Sequence, residues 1–365
     1  MNLIYTRLQL IFLISLLFIL FFCKDSYSNT KFSQYEVSFN SQSDGVMLSG
    51  TLTVPDVKIR VPVVVLIHGS GPENRDLEFG DHKLFKDLAE YLSSRGIAVL
   101  RYDKRGVGKS KGQFVPYDLD NYKLDGISAV EYLKTIKEID KSKIGIIGIS
   151  EGGIVVQMMA NSCPDISFAI LLGSPGVWGK DFFYSSQLAM TKAAGFNQND
   201  INEMTVVFNR LWPLLTKDKL NSDEENQGKV LLKKLWDYTD SESKTDLGFT
   251  DSNVDFLFNL YRGDLIRKYY SYKPSEVLSQ LKCSILALNG DKDVQTVSKI
   301  NLTAIKEALK KGKCKKYKIM ELKNHNHIFQ ICKTGKYSEY KEIKGTMSAE
   351  SLSIIEKWIN AITID

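Results

Sequence analysis

Residues Ile144 to Ala160 read IGIIGISEGGIVVQMMA, and this stretch decides the fold. Its first half, Ile144–Ile149, is a continuous run of apolar residues and glycine, the mark of a strand buried on both faces of a parallel sheet. Its second half, Gly152–Ala160, is apolar on helical spacing. Between them lies Gly148-Ile149-Ser150-Glu151-Gly152, a G-x-S-x-G pattern placed where a strand must turn abruptly into a helix. Such a turn forces its central serine into a strained backbone conformation, and flanking residues without Cβ leave room for it.

Outward from this turn the same alternation repeats. Upstream, the sequence predicts strands at Tyr35–Asn40, Val46–Val54, Val61–Ile67 and Ile97–Tyr102, with helices at His82–Arg95 and Asn121–Ile136. Downstream, Phe168–Leu172 is a strand, and after Ser174-Pro175-Gly176 the rhythm breaks. Residues 177–275 hold amphipathic helical stretches and no convincing strand. The rhythm resumes with strand Ile285–Asn289, helix Val297–Lys310, strand Tyr317–Leu322 and a closing helix Ala349–Ile362. Strands alternating with helices imply an α/β fold with a mostly parallel, doubly wound sheet. The division expected is a leader at 1–28, a first core part at 29–176, an inserted helical cap at 177–275 and a second core part at 276–365. The insertion leaves the carboxyl end of a strand, the side on which open α/β sheets bind ligands.

A serine hydroxyl is a poor nucleophile at neutral pH and needs a base that an acid orients. When a serine sits on such a turn, the chain order is serine, acid, histidine. Four histidines exist, His68, His82, His325 and His327, and the last two follow the final predicted strand. Asp291 and Asp293 follow the strand Ile285–Asn289, at the edge where an acid is needed. Backbone N–H groups must also hold the negative oxygen of a tetrahedral intermediate. Glu151 offers one, directly after the nucleophile and at a helix start, and Ser70, in the loop after Val61–Ile67, offers the other. His68 opens that loop and precedes the serine, so it reads as structural.

These motifs resemble bacterial α/β-hydrolases of the serine-aminopeptidase-like branch, in particular exported carboxylesterases with a helical cap. The matching stretches are Leu66 to Pro72 (LIHGSGP), Tyr102 to Ser110 (YDKRGVGKS), Gly148 to Gly152, Leu286 to Asp293 (LALNGDKD) and Asn326 to Gln330 (NHIFQ). The resemblance implies Asp293 as the acid, three residues after Gly290, with Asp291 as a turn residue, and His327 as the base. It implies a carboxylesterase-like serine hydrolase (EC 3.1.1 class) that cleaves small esters through an acyl-enzyme. A serine aminopeptidase shares every one of these residues, and a non-catalytic binding protein on a hydrolase scaffold is the rival of another class. His325, two residues before the base, departs from the family pattern.

Composition narrows the alternatives. The net charge of +5 is small and the basic residues are interleaved with acidic ones, so no nucleic-acid partner is expected. No C-x-x-C and no G-x-G-x-x-G occurs, which removes support for a zinc ribbon, a redox pair or a dinucleotide site, so neither metal nor cofactor is expected. Gly108-Lys109-Ser110 lacks the leading glycine of a P-loop, because position 103 is aspartate. Arg7 followed by the apolar stretch Leu8–Phe22 reads as a secretory leader, with cleavage after Ser28. The protein is therefore expected to be periplasmic or secreted, meeting a membrane only through a leader that stays attached. Of the remaining cysteines, Cys314 and Cys332 flank one strand and form the candidate disulfide, against the alternative of buried thiols. Trp178, Trp212 and Trp236 fall in the cap, either roofing an apolar pocket or packing the cap itself.

Overall fold

The computed structural model describes residues 30–246 and 248–363, and the expected leader at 1–28 lies outside the described residues. Strands β1 (Phe32–Asn40) and β2 (Met47–Pro55) form an antiparallel pair at one edge of an eight-stranded sheet. β3 (Val61–Ile67) follows, then a two-residue hairpin, β4 (Glu78–Phe79) and β5 (His82–Lys83), and helix α1 (Leu84–Ser93). The chain continues through β6 (Ala98–Tyr102), α2 (Leu119–Leu133), β7 (Ile139–Ile149), α3 (Glu151–Ser162) and β8 (Phe168–Leu172). After the cap come β9 (Ser284–Gly290), a helix, β10 (Tyr317–Leu322) and the carboxyl-terminal helix. The strand order is β1-β2-β6-β3-β7-β8-β9-β10; β2 is antiparallel to both neighbours, and from β6 to β10 every pairing is parallel.

The cap supplies α4 (Lys180–Ala193), α5 (Gln198–Thr216), α6 (Ser222–Trp236), α7 (Ser241–Asp246), α8 (Val254–Leu260), α9 (Asp264–Tyr270) and α10 (Pro274–Leu278). The helix after β9 is α11 (Ser298–Lys311) and the last is α12 (Ala349–Thr363). The expected boundary at 275 falls inside α10, which packs on the core helices α3 and α11. Among the described residues no helix is long and apolar enough to cross a membrane.

β3 shows why the sheet is sandwiched. Val63, Val65 and Ile67 face one apolar layer with α2, α3 and α11, while Val64 and Leu66 face the other with α1 and α12. Alternation across a pleated strand buries both faces, and each such side chain contributes roughly 1.5–3 kcal/mol. The cap has its own core, in which Phe208, Leu211, Leu232, Leu235 and Phe258 pack together. Trp212 stacks on Phe208 (5.9 Å) and Trp236 on Phe249 (4.7 Å). Both pack within the cap, and Trp212 also meets Tyr270 (5.0 Å), the residue after Tyr269.

One detail of β7 was not expected. The strand begins at Ile139, not Ile144, because Ile139 pairs with Val61 before a register shift lets the main ladder start at Val63 and Ile144. Gly145 and Gly148 leave the space that packing needs: a Cβ at Gly145 would lie 2.0 Å from the Phe168 ring, and one at Gly148 would lie 2.2 Å from the Gly152 carbonyl oxygen. The elbow is thus packed backbone on backbone. The expected disulfide is absent: Cys163, Cys283, Cys314 and Cys332 are free thiols. Cys314 Sγ instead donates to the Cys283 carbonyl oxygen (3.1 Å), next to the start of β9 and away from Cys332.

Candidate active site

Ser150 sits between the last residue of β7 and the first of α3, with φ 55° and ψ −125°. This left-handed conformation is uncommon for a residue with a Cβ and costs of order 1–3 kcal/mol, so surrounding structure must enforce it. It does. The Ser150 amide donates to Leu172 at the end of β8 (2.9 Å), and the Gly153 amide closes the turn on the Ser150 carbonyl (2.8 Å). On the far side, a Cβ at Gly152 would lie 2.3 Å from the His68 carbonyl oxygen, so α3 starts directly beneath the loop after β3.

His327 lies in the loop after β10. Its Nδ1–H donates to Asp293 Oδ2 (2.7 Å), and both side chains are buried. Asp293 is fixed in turn, since Oδ1 accepts from the amides of Gln295 (2.9 Å) and Thr296 (2.7 Å). The His327 loop folds around Asn326, whose Oδ1 accepts from the amides of Ile328 and Gln330. Gly173 separates the strand that leads into Ser150 from this pair. It follows Leu172, and a Cβ there would lie 3.2 Å from His327 Nδ1 and 3.3 Å from Asp293 Oδ2. The structure therefore brings Ser150, Asp293 and His327 to one end of the parallel strands.

The competing residues are engaged elsewhere. His325 has Nδ1 against the Lys323 carbonyl oxygen (2.8 Å) and Nε2 against Ser348 Oγ (2.7 Å). A carbonyl can only accept, so Nδ1 carries the proton and Nε2 takes the serine hydroxyl's. Asp291 Oδ1 accepts from the Asn324 amide (2.6 Å), tying one loop to the next.

His68 is buried, with Nε2–H donating to the Asn74 carbonyl (3.0 Å). Burial, helped by the nearby Lys104 cation, lowers its pKa from 6.5 to about 3. The unfolded chain takes up this proton near pH 6.5 and the folded one does not, so the contribution is complete above that pH and is lost as pH falls toward 3. Going from pH 7 to pH 5 should cost about 2 kcal/mol through this residue. Urea midpoints at the two pH values check it: His68→Gln, which keeps a donor but not the titration, is expected to flatten the difference. An unchanged difference would acquit His68.

Ser70 and Glu151 face each other across the elbow. Among the described residues, neither backbone amide is paired with an acceptor, and Ser70 Oγ donates to Glu151 Oε2 (3.3 Å). A Cβ at Gly69 would lie 3.4 Å from Ser150 Cβ, so this loop lies directly against Ser150. The Glu151 carboxylate is buried, with Lys104 Nζ at 3.8 Å. Tyr269, from the cap helix α9, is buried with its hydroxyl against Glu151 and Ser70; burial foremost, then the Glu151 carboxylate, raises its pKa, and the Ser70 contact opposes them. Reading the sequence missed Lys104 and Gly173, and Tyr269 stood there only as one of the cap aromatics that line a pocket or pack the cap. Lys104 had a signal, a cation in the loop after β6, but nothing in the sequence gives its direction.

A cleft of about 630 Å³ between α4 and α11 is lined by Leu188, Ala189, Val297 and Ile300 among others, and by none of these site residues. It is not the site.

With sheet order, elbow and histidine loop in view, the chain is an α/β-hydrolase. It is similar to the serine-aminopeptidase-like branch: the family described as "Serine aminopeptidase, S33" matches residues 60–235, a little under half of the chain. Among curated proteins, Esterase EstD of Thermotoga maritima is 39% identical over 114 residues, which are 31% of this chain and 27% of that protein's length. The quorum-quenching protein AidA of Acinetobacter baumannii is 28% identical over 201 residues, covering 54% of this chain and 56% of that one. Among solved structures, the Pyrococcus furiosus esterase Pf2001 superposes with a TM-score of 0.55 at 17% identity, covering 92% of each chain. That likeness is one of fold.

Proposed function

We propose that the protein is a carboxylesterase that cleaves small esters through an acyl-enzyme on Ser150. The observation that carries this reading is the positive-φ Ser150 at the strand–helix elbow, beside the 2.7 Å hydrogen bond from His327 to Asp293. His327 takes the proton from the Ser150 hydroxyl, the serine oxygen attacks the ester carbonyl, and the resulting oxyanion sits between the amides of Ser70 and Glu151. The tetrahedral intermediate collapses, His327 returns the proton to the leaving alcohol, and water then attacks the acyl-enzyme with His327 as base. Asp293 keeps the imidazole in one tautomer throughout. The leader expected at residues 1–28 would place this chemistry outside the cytoplasm.

The esterase reading is preferred to the aminopeptidase one on a particular ground. An aminopeptidase needs a carboxylate free to hold the substrate's ammonium. The buried carboxylate beside the nucleophile, Glu151, already faces Lys104, Ser70 and Tyr269. The name of one similar protein points the same way, since the Thermotoga maritima relative is called an esterase.

A graded set of p-nitrophenyl esters assayed beside aminoacyl p-nitroanilides separates the two. Turnover of short-chain esters at least about 100-fold above that of the anilides, in kcat/KM, is the expected result; a ratio of that size corresponds to about 2.7 kcal/mol of transition-state discrimination. Anilide turnover equal to or above that of the esters would move the assignment to a peptidase.

A further inference from the structure

Lys104 has no part in the mechanism above, yet it lies next to it. Three consecutive side chains of the loop after β6 diverge. Asp103 meets Arg75 (2.8 Å), Arg105 meets Asp125 (2.6 Å), and Lys104 between them turns inward. Its side chain is 6% exposed, and Nζ donates to the carbonyl oxygens of Gly69 (2.5 Å) and Gly71 (3.0 Å). The ammonium also lies 4.6 Å from the centre of the Tyr122 ring, and Glu151 is at 3.8 Å. Placing a lysine here has a cost, because burial lowers its pKa and disfavours the charged form.

We infer that Lys104 is the positioning residue of the oxyanion site, holding the Gly69 and Gly71 carbonyls on one side so that the Ser70 amide is aimed at the other. This rests on the proposed role of the Ser70 and Glu151 amides. The Gly69 carbonyl and the Ser70 N–H belong to one peptide unit. In a planar trans peptide the two point in opposite directions, so a cation that fixes the carbonyl also fixes the N–H. The loop needs such a clamp: glycines stand on both sides of Ser70, and Gly71 has φ 97°. Glycine leaves the peptide planes on either side of Ser70 free to turn, and Pro72 restrains only the far end of the loop. Lys104 has a second effect. The Glu151 carboxylate would oppose a negative charge forming at its own amide, and the ammonium offsets it.

The test uses Lys104→Met and the double variant Lys104→Met/Glu151→Gln, assayed with a short p-nitrophenyl ester and with a trifluoromethyl ketone. The ketone adds the Ser150 oxygen to its carbonyl carbon and places the resulting oxyanion where the intermediate's would be. The single variant leaves a buried carboxylate unpaired and risks misfolding; the double removes both charges. It also removes the charge that opposes the oxyanion, so any loss that remains belongs to the clamp. Both are expected to lose kcat by about 10²–10³-fold, the effect of one misdirected oxyanion donor. KM should stay within a few-fold, and the ketone's inhibition constant should rise by the same factor as kcat falls. A double variant with wild-type kcat overturns the inference, as does a loss of kcat that leaves ketone affinity unmoved. Wild-type ketone binding that survives Ser150→Ala would overturn the serine mechanism itself, and the Lys104 inference with it.

Discussion

Ser150→Ala is expected to lower kcat for short p-nitrophenyl esters by about 10⁶-fold, the scale seen when a nucleophile is removed from a working triad. What remains is catalysis by binding and by the oxyanion donors, roughly 10³–10⁴ over water. The fold should survive, because Ser150 is held by its backbone: its amide and carbonyl make the bonds that set the elbow, to Leu172 and Gly153. Alanine meets the same φ penalty as serine and adds no atom, so a melting temperature within a few degrees of wild type is expected. Adding His327→Ala should change little further, since the two side chains act in one step. Activity within tenfold of wild type in the alanine variant would end the proposal, whatever the fate of the ester series.

How much of this was legible beforehand depends on the kind of constraint. The sheet could be read because a strand buried on both faces must be a run of apolar residues, and Val61–Ile67 and Phe168–Leu172 have the predicted ends in the structure, as does the half-exposed edge strand Tyr317–Leu322. Ends set by tertiary pairing could not be read: β7 starts five residues early because Ile139 finds Val61. Among site residues, Ser150 carries a local signature, a glycine pattern dictated by close backbone contact. Asp293 and His327 have none of their own. Spacing left Asp291 and His325 open, the family resemblance favoured the other two, and the hydrogen bonds of His325 to Lys323 and Ser348 account for it physically. Lys104 and Tyr269 were illegible for another reason. Their places depend on which way a loop and a cap helix face the elbow, and neither direction has a period in the sequence. Of the two readings of the cysteines the free-thiol one holds: closeness along the strand suggested Cys314 with Cys332, while parallel packing put Cys314 beside Cys283.

Asp293→Asn is expected to lower kcat by about 10⁴-fold with the fold intact, and the reason lies in which atoms surround the carboxylate. Oδ1 accepts from the amides of Gln295 and Thr296, two donors that cannot be turned away because they belong to the backbone of the same turn. An asparagine at 293 must therefore set its carbonyl oxygen toward them, which leaves its NH₂ facing His327. That group donates, so His327 Nδ1 must become the acceptor, and the ring proton moves to Nε2. Nε2 is the atom that has to take the proton from Ser150, and in this tautomer it is already occupied. The lesion is a wrong tautomer, not a lost contact: KM should be little changed, and the thermal midpoint should stay near that of wild type. Asp291→Asn is the matched control. Its Oδ1 accepts, among the described residues, from the Asn324 amide at the surface, a bond that asparagine can keep through its own carbonyl oxygen, so kcat should fall no more than a few-fold. Kinetics on the two variants with one ester assigns the acid. A large loss at 291 with little at 293 would mean that His327 is oriented by a different carboxylate in the working enzyme, and the geometry drawn around Asp293 would have to be abandoned.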